Sequence, residues 1–94
     1  MASISRQTRV RRKPDVPAAE INGEMVTMNA ELGEYYSLNP VASDIWHRLV
    51  EPRTIQELVA ELAESYAGDL SVIEADVIFL VEGLSAKGLL ITEG

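Results

Sequence analysis

Hydrophobic and polar positions alternate with a period of two in short runs from Ala18 to Leu38, then recur at helical spacing from Pro40 to Lys87. In the first region Ala18–Ile21 reads as a short strand, and Asn22-Gly23 is a two-residue hairpin signal. The next strand, Glu24–Asn29, puts Val26 and Met28 on one face and Met25 and Thr27 on the other. Ala30–Gly33 is a second turn. Glu34–Leu38 is a third strand, with Tyr36 and Leu38 on one face and Tyr35 and Ser37 on the opposite one.

The period changes at Asn39-Pro40, where Asn39 can cap a helix and Pro40 suits its first turn. Val41, Ala42, Ile45, Trp46, Leu49 and Val50 form one helical stripe, which Pro52 stops. Thr54-x-x-Glu57 is a capping box for a second helix with the stripe Ile55, Leu58, Val59, Leu62 and Tyr66, ended by Gly68. Ser71-x-x-Glu74 reads as another capping box, for a third helix reaching about Lys87 and stopped by Gly88. Leu89–Thr92 is a short extended tail.

The expected fold class is α+β: a three-stranded antiparallel sheet followed by a three-helix bundle, with one sheet face buried against the helices. The short turn at 67–70 makes the last two helices a helix-turn-helix unit, and the meander placed before it gives a winged-helix-like arrangement. Residues 1–13 read as a basic, flexible tail and residues 14–94 as one domain.

Composition narrows the function classes. No apolar run is long enough to cross a bilayer, and no apolar stretch follows the basic N-terminal residues as it would in a secretory signal. There is no cysteine, which excludes disulfides, thiol catalysis and thiolate metal sites. These features predict a cytoplasmic protein. Arg6, Arg9, Arg11, Arg12 and Lys13 lie ahead of every acidic residue; from Pro14 onward three basic residues face fifteen acidic ones, a net charge of −12. Such a body repels phosphate and argues against a nucleic-acid surface except through the basic tail, which could touch RNA, DNA or an acidic partner; neither nucleic acid nor a membrane is the expected partner.

Candidate catalytic chemistry is sparse. His47, the only histidine, has no second histidine or cysteine with which to hold a metal. Glu57, Glu61 and Glu64 share a helical face opposite the apolar stripe and read as a solvated acidic surface. No glycine-rich phosphate loop or nucleophile constellation is present. The expectation is a protein without enzymatic activity, cofactor or metal. A DNA-reading helix should offer Arg, Lys, Asn or Gln, whereas the third helix offers Glu74, Asp76 and Glu82.

The third helix carries two stripes. Ile73, Val77, Leu80, Val81 and Leu84 form its core face, and Val72, Asp76, Phe79 and Gly83 lie beside it. Phe79 suggests a partly exposed apolar site, and Gly83 either admits a close backbone or is incidental. An open strand edge beside such a helix can receive an extended peptide as a further strand.

Gly33-Glu34-Tyr35-Tyr36-Ser37-Leu38-Asn39, followed by Ala42-x-x-Ile45-Trp46, resembles the signature of PqqD-like proteins, the recognition elements of ribosomally made, post-translationally modified peptides. Asp76-Val77-x-x-Leu80-Val81-x-x-Leu84 and then Gly88-Leu89-Leu90 resemble the family's closing pattern. The similarity spans roughly Pro14 to Thr92 and is greatest to the stand-alone recognition proteins of lasso-peptide clusters. The pyrroloquinoline-quinone member carries Pro-Glu-Gly where this chain has Ala30-Glu31-Leu32-Gly33, which argues against a role in that cofactor's synthesis.

The resemblance implies that a precursor's leader segment adds as a strand along Glu34, Tyr35, Tyr36, Ser37 and Leu38, with Val72, Asp76, Phe79 and Gly83 as the opposite wall. It further implies delivery to a leader peptidase and an ATP-dependent cyclase. Asp76 could pair with a basic leader residue or be structural; Trp46, Leu38 and Leu84 read as core. Alternatives remain: a recognition element for another modified-peptide class working with a radical enzyme, or a winged-helix DNA-binding regulator. The exposed strand edge could also pair with its copy in a homodimer.

Overall fold

The computed structural model describes residues 4–93. Six strands and three helices follow one another as β1 (Arg9–Arg12), β2 (Ala18–Ile21), β3 (Glu24–Asn29), β4 (Glu34–Leu38), α1 (Pro40–Arg48), β5 (Arg53–Thr54), α2 (Ile55–Ser65), α3 (Leu70–Ala86) and β6 (Leu90–Glu93). The fold is α+β, as expected, but it has two sheets rather than one. β2-β3-β4 is the antiparallel meander, and β5-β1-β6 is a second sheet.

The meander forms where its turn chemistry dictates. Asn22 and Gly23 both have positive φ, 52° and 84°, the conformation a two-residue hairpin needs to match strand twist. Met25 and Leu38 face each other across β3 and β4 and enter the core, together with Val10, Ile45, Trp46, Leu58 and Val81. The opposite face carries no helix and leaves Ile21 and Tyr35 exposed.

The second sheet corrects the expectation of a flexible N-terminal tail. Arg9–Arg12 pair with Thr54 and Arg53 on one side and with Leu90–Glu93 on the other, and Val10 is completely buried. One apolar residue between arginines gives almost no strand signal, and its partners are supplied by distant segments. Two of the arginines of β1 have side-chain partners. Arg11 pairs with Glu93, and the guanidinium of Arg12 donates to the carbonyl of Trp46 while lying 4.7 Å from its ring centroid. Burial without a carboxylate partner pushes the Arg12 pKa below its ordinary value.

Thr54 and Glu57 make the expected capping box, each side chain accepting from the other's backbone N–H. The third helix starts two residues earlier than the Ser71 reading allows. Asp69 is its cap and accepts from the Ser71 N–H, while Glu74 is turned towards Arg6 instead of back to the helix start. The acidic face of α2 is also less solvated than expected: Glu61 takes Arg48 and Arg53, and Glu57 is occupied by the cap. His47 is exposed, 4.0 Å from Glu20.

Candidate functional site

β4 is an edge strand, and its register shows which of its groups are free. Met28 N–H donates to the Pro17 carbonyl, so alternate residues of β3 from Glu24 to Met28 bond towards β2. Met25, Thr27 and Asn29 therefore bond towards β4, to Leu38, Tyr36 and Glu34. It follows that the backbone N–H and C=O of Tyr35 and Ser37 point out of the sheet, where they have no strand partner. Their side chains lie on the helix-free face: Tyr35 is 73% exposed, and the Ser37 hydroxyl donates to Glu24. The side chains of Tyr36 and Leu38 turn inward.

α3 is tied to the meander at one end and approached by α1 at the other. At its C-terminus the Asn29 side chain donates to the Lys87 carbonyl and accepts from the Glu31 and Leu32 N–H groups, tying the helix end to the β3–β4 turn. Lys87 Nζ lies 5.1 Å from the Tyr36 ring centroid and closes that end of the groove. The Tyr36 hydroxyl donates to Glu34; its pKa is raised first by desolvation and then by that carboxylate. At the other end Asn39 caps α1 by accepting from the Ala42 N–H, so the chain turns directly from β4 and brings Val41 towards α3. There Val41, Leu62, Tyr66, Val72, Asp76 and Val77, with neighbouring residues, line a hollow of about 180 Å³. The Tyr66 hydroxyl donates to Asp44, which raises the tyrosine pKa.

The nine residues expected at the site are thus divided. Glu34, Tyr35, Tyr36, Ser37 and Leu38 do make an edge strand, although Leu38 contributes its side chain to the core. Val72 and Asp76 line the hollow. Phe79 is 75% exposed and lies about 20° around the helix from Val72 at 3.6 residues per turn, so it continues the same face of α3 about two turns nearer the C-terminus, outside the hollow itself. Gly83 is exposed, and a Cβ there would meet nothing within 4 Å. Its lack of a side chain is not required by any packed neighbour among the described residues.

Val41, Tyr66, Ile73 and Lys87 were not expected at the site. The first three read as ordinary members of apolar stripes, and only the packing of three helix ends brings them together. Lys87 carried a faint signal as the lone cation of the third helix. Among the described residues no group of three or more His, Asp or Glu is placed to hold a metal ion, and no helix is long and apolar enough to cross a membrane.

The family model described as coenzyme PQQ synthesis protein D (PqqD) matches residues 24–90, from β3 into β6. No curated protein matches the chain. Among solved structures, a lasso peptide synthetase B1 complexed with the leader peptide is 27% identical, with TM-score 0.77 over 87% of this chain and 96% of its own. TbiB1 in complex with the TbiA(beta) leader peptide is 30% identical, with TM-score 0.78 over 85% of this chain and 93% of its own. The solution structure of the PqqD truncation of Methylobacterium extorquens PqqCD, a stand-alone recognition element, shares the fold at 21% identity, with TM-score 0.79 over 95% of both chains.

Proposed function

The chain belongs to the PqqD family, and from that premise we propose that it binds the leader segment of a ribosomal precursor peptide by strand addition to β4. It acts without catalysis of its own. It works in the cytoplasm, presenting the precursor to a leader peptidase and an ATP-dependent cyclase in lasso-peptide biosynthesis. One observation carries this reading: β4 has a free edge at Tyr35 and Ser37 and runs directly into α1, whose Val41 lines an apolar hollow together with α3, in a chain similar to two proteins solved with leader peptides.

The magnitudes say how recognition divides. Tyr35 and Ser37 offer two N–H and two C=O groups, and four hydrogen bonds at about 0.5–1.5 kcal/mol net give roughly 2–6 kcal/mol. Micromolar binding requires about 8 kcal/mol, before the cost of ordering the peptide is counted. The groove between β4 and α3 must supply the difference through leader side chains. Backbone pairing thus gives a general attraction, and the hollow beside Val72 and Asp76 gives the selection. Phe79 and Gly83, on the same face of α3 as Val72 and Asp76, would flank the bound strand beyond the hollow.

The test is a titration of a fluorescein-labelled leader, taken from the neighbouring precursor gene, read by anisotropy with wild-type protein and with Ser37→Pro. The Ser37 N–H points away from β3, so proline removes an edge donor without breaking the existing ladder. Saturable binding that weakens at least tenfold in the variant, with an unchanged circular dichroism spectrum, supports strand addition. Equal binding by both proteins refutes it.

A further inference from the structure

The hollow at the Val41 end of the groove has apolar walls and one carboxylate at its mouth, that of Asp76. Most cations of this protein already have acidic partners: Arg6 with Glu74, Arg11 with Glu93, Lys13 with Glu31, Arg48 with Asp44, and Arg53 with Glu61. Lys87 lies over Tyr36 at the far end of the groove, and Arg12 over Trp46. No cation among the described residues makes an ion pair with Asp76. Nearby Asp44 has its charge taken up by Arg48 and by the Tyr66 hydroxyl. Asp76 is left as an exposed anion at the rim of an apolar hollow, on a body whose charge from Pro14 onward is −12.

We infer that this hollow selects a leader carrying a lysine or arginine, whose methylene stem fills the cavity while its charged head meets Asp76. The inference rests on reading the groove as the leader site. A wholly apolar side chain would fill the same space but strip water from Asp76 without replacing its hydration. Lys and Arg suit both surfaces, because their stems pack on apolar walls while their heads stay at the rim. The acidic surroundings strengthen the preference, and Lys87 at the other end disfavours a second cation there. The basic residue therefore belongs at the end of the added strand nearest Leu38 and Val41.

The experiment is a double-mutant cycle read by anisotropy. Wild-type protein and Asp76→Asn are each titrated with the labelled leader and with versions in which every Lys or Arg is changed singly to Gln. Asp76→Asn is expected to weaken the natural leader about tenfold and to flatten its salt dependence. One leader substitution should weaken wild type by the same factor and cause no further loss in Asp76→Asn. Because Asp76 is exposed, the variant should melt with wild type. Undiminished binding by Asp76→Asn, losses that multiply at every basic position, or tight binding of a leader without Lys or Arg would each overturn the inference while leaving the leader site intact. Failure of the natural leader to bind wild type would instead remove the leader-site reading, and this inference with it.

Discussion

Asn29 and Gly88 should behave as one unit, and the effect can be worked out from their geometry. The Asn29 side chain is nine-tenths buried and makes three hydrogen bonds, to the Lys87 carbonyl and from the Glu31 and Leu32 N–H groups, at 2.9, 3.0 and 3.1 Å. Water can reach the two turn N–H groups once the amide is gone, so Asn29→Ala should cost about 2 kcal/mol rather than the full sum of three bonds. Gly88 has φ +77°, and a Cβ there would lie 2.6 Å from Asn29 Nδ2. Gly88→Ala therefore carries about 1–2 kcal/mol for left-handed backbone. It carries about 1–2 kcal/mol more for displacing the amide from Lys87, on the scale of a lost hydrogen bond and local repacking. In an Asn29→Ala background the collision disappears and only the backbone cost remains. The double variant should be less destabilised than the sum of the single ones by about 1–2 kcal/mol. Urea unfolding of the four proteins, followed by the fluorescence of the single tryptophan, measures this from the midpoints at constant slope. Additivity within about 0.5 kcal/mol would refute the proposed contact and, with it, the anchoring of α3 to the meander.

Other substitutions probe separate parts of the fold. Trp46→Ala truncates a side chain that is 3% exposed and removes the ring beneath Arg12, so it should destabilise by about 3–5 kcal/mol, seen as a lowered midpoint in circular dichroism. A loss below about 1 kcal/mol would contradict its place in the core. Thr27 is 1% exposed, and its hydroxyl has no partner among the described residues, so Thr27→Val should raise stability by about 1 kcal/mol; destabilisation would mean that the hydroxyl is bonded. Hydrogen bonds at the Thr54 cap hold the Glu57 pKa below its ordinary value of 4.5. The folded pKa is the lower one, so this stabilisation is present above about pH 4.5 and is lost as pH falls through the folded value. Glu57→Gln should flatten the melting temperature against pH in that acid range, and an unchanged acid slope would exclude the cap as its source.

Sequence patterns revealed the elements whose causes are local. Asn22-Gly23 specifies its hairpin through two positive φ angles, Asn39-Pro40 starts α1, and Thr54-x-x-Glu57 closes its box within four residues. Elements defined by distant partners were hidden. β1 offers one buried valine among arginines, and β6 reads only as a short extended tail until the two strands are paired across the chain. At the start of α3 two acceptable caps lie two residues apart; Asp69 takes the role, accepting from the Ser71 N–H and hydroxyl, while Glu74 is turned to Arg6. The site was partly legible for the same reason. Strand alternation places Tyr35 and Ser37 apart from Tyr36 and Leu38, and helical spacing places Val72 near Asp76. The same spacing places Phe79 on that face about two turns further along, beyond the hollow itself. The hollow needs Val41 and Tyr66 from two other helices, a juxtaposition that no local period encodes.

The most direct test of strand addition is residue-resolved amide hydrogen exchange by NMR, with and without saturating leader peptide. Exchange at Tyr36 and Leu38 should change little, because their N–H groups already bond to β3. Exchange at Tyr35 and Ser37 should slow at least tenfold as their free N–H groups acquire partners on the leader. Saturable leader binding that leaves both of those amides unprotected would contradict strand addition at β4.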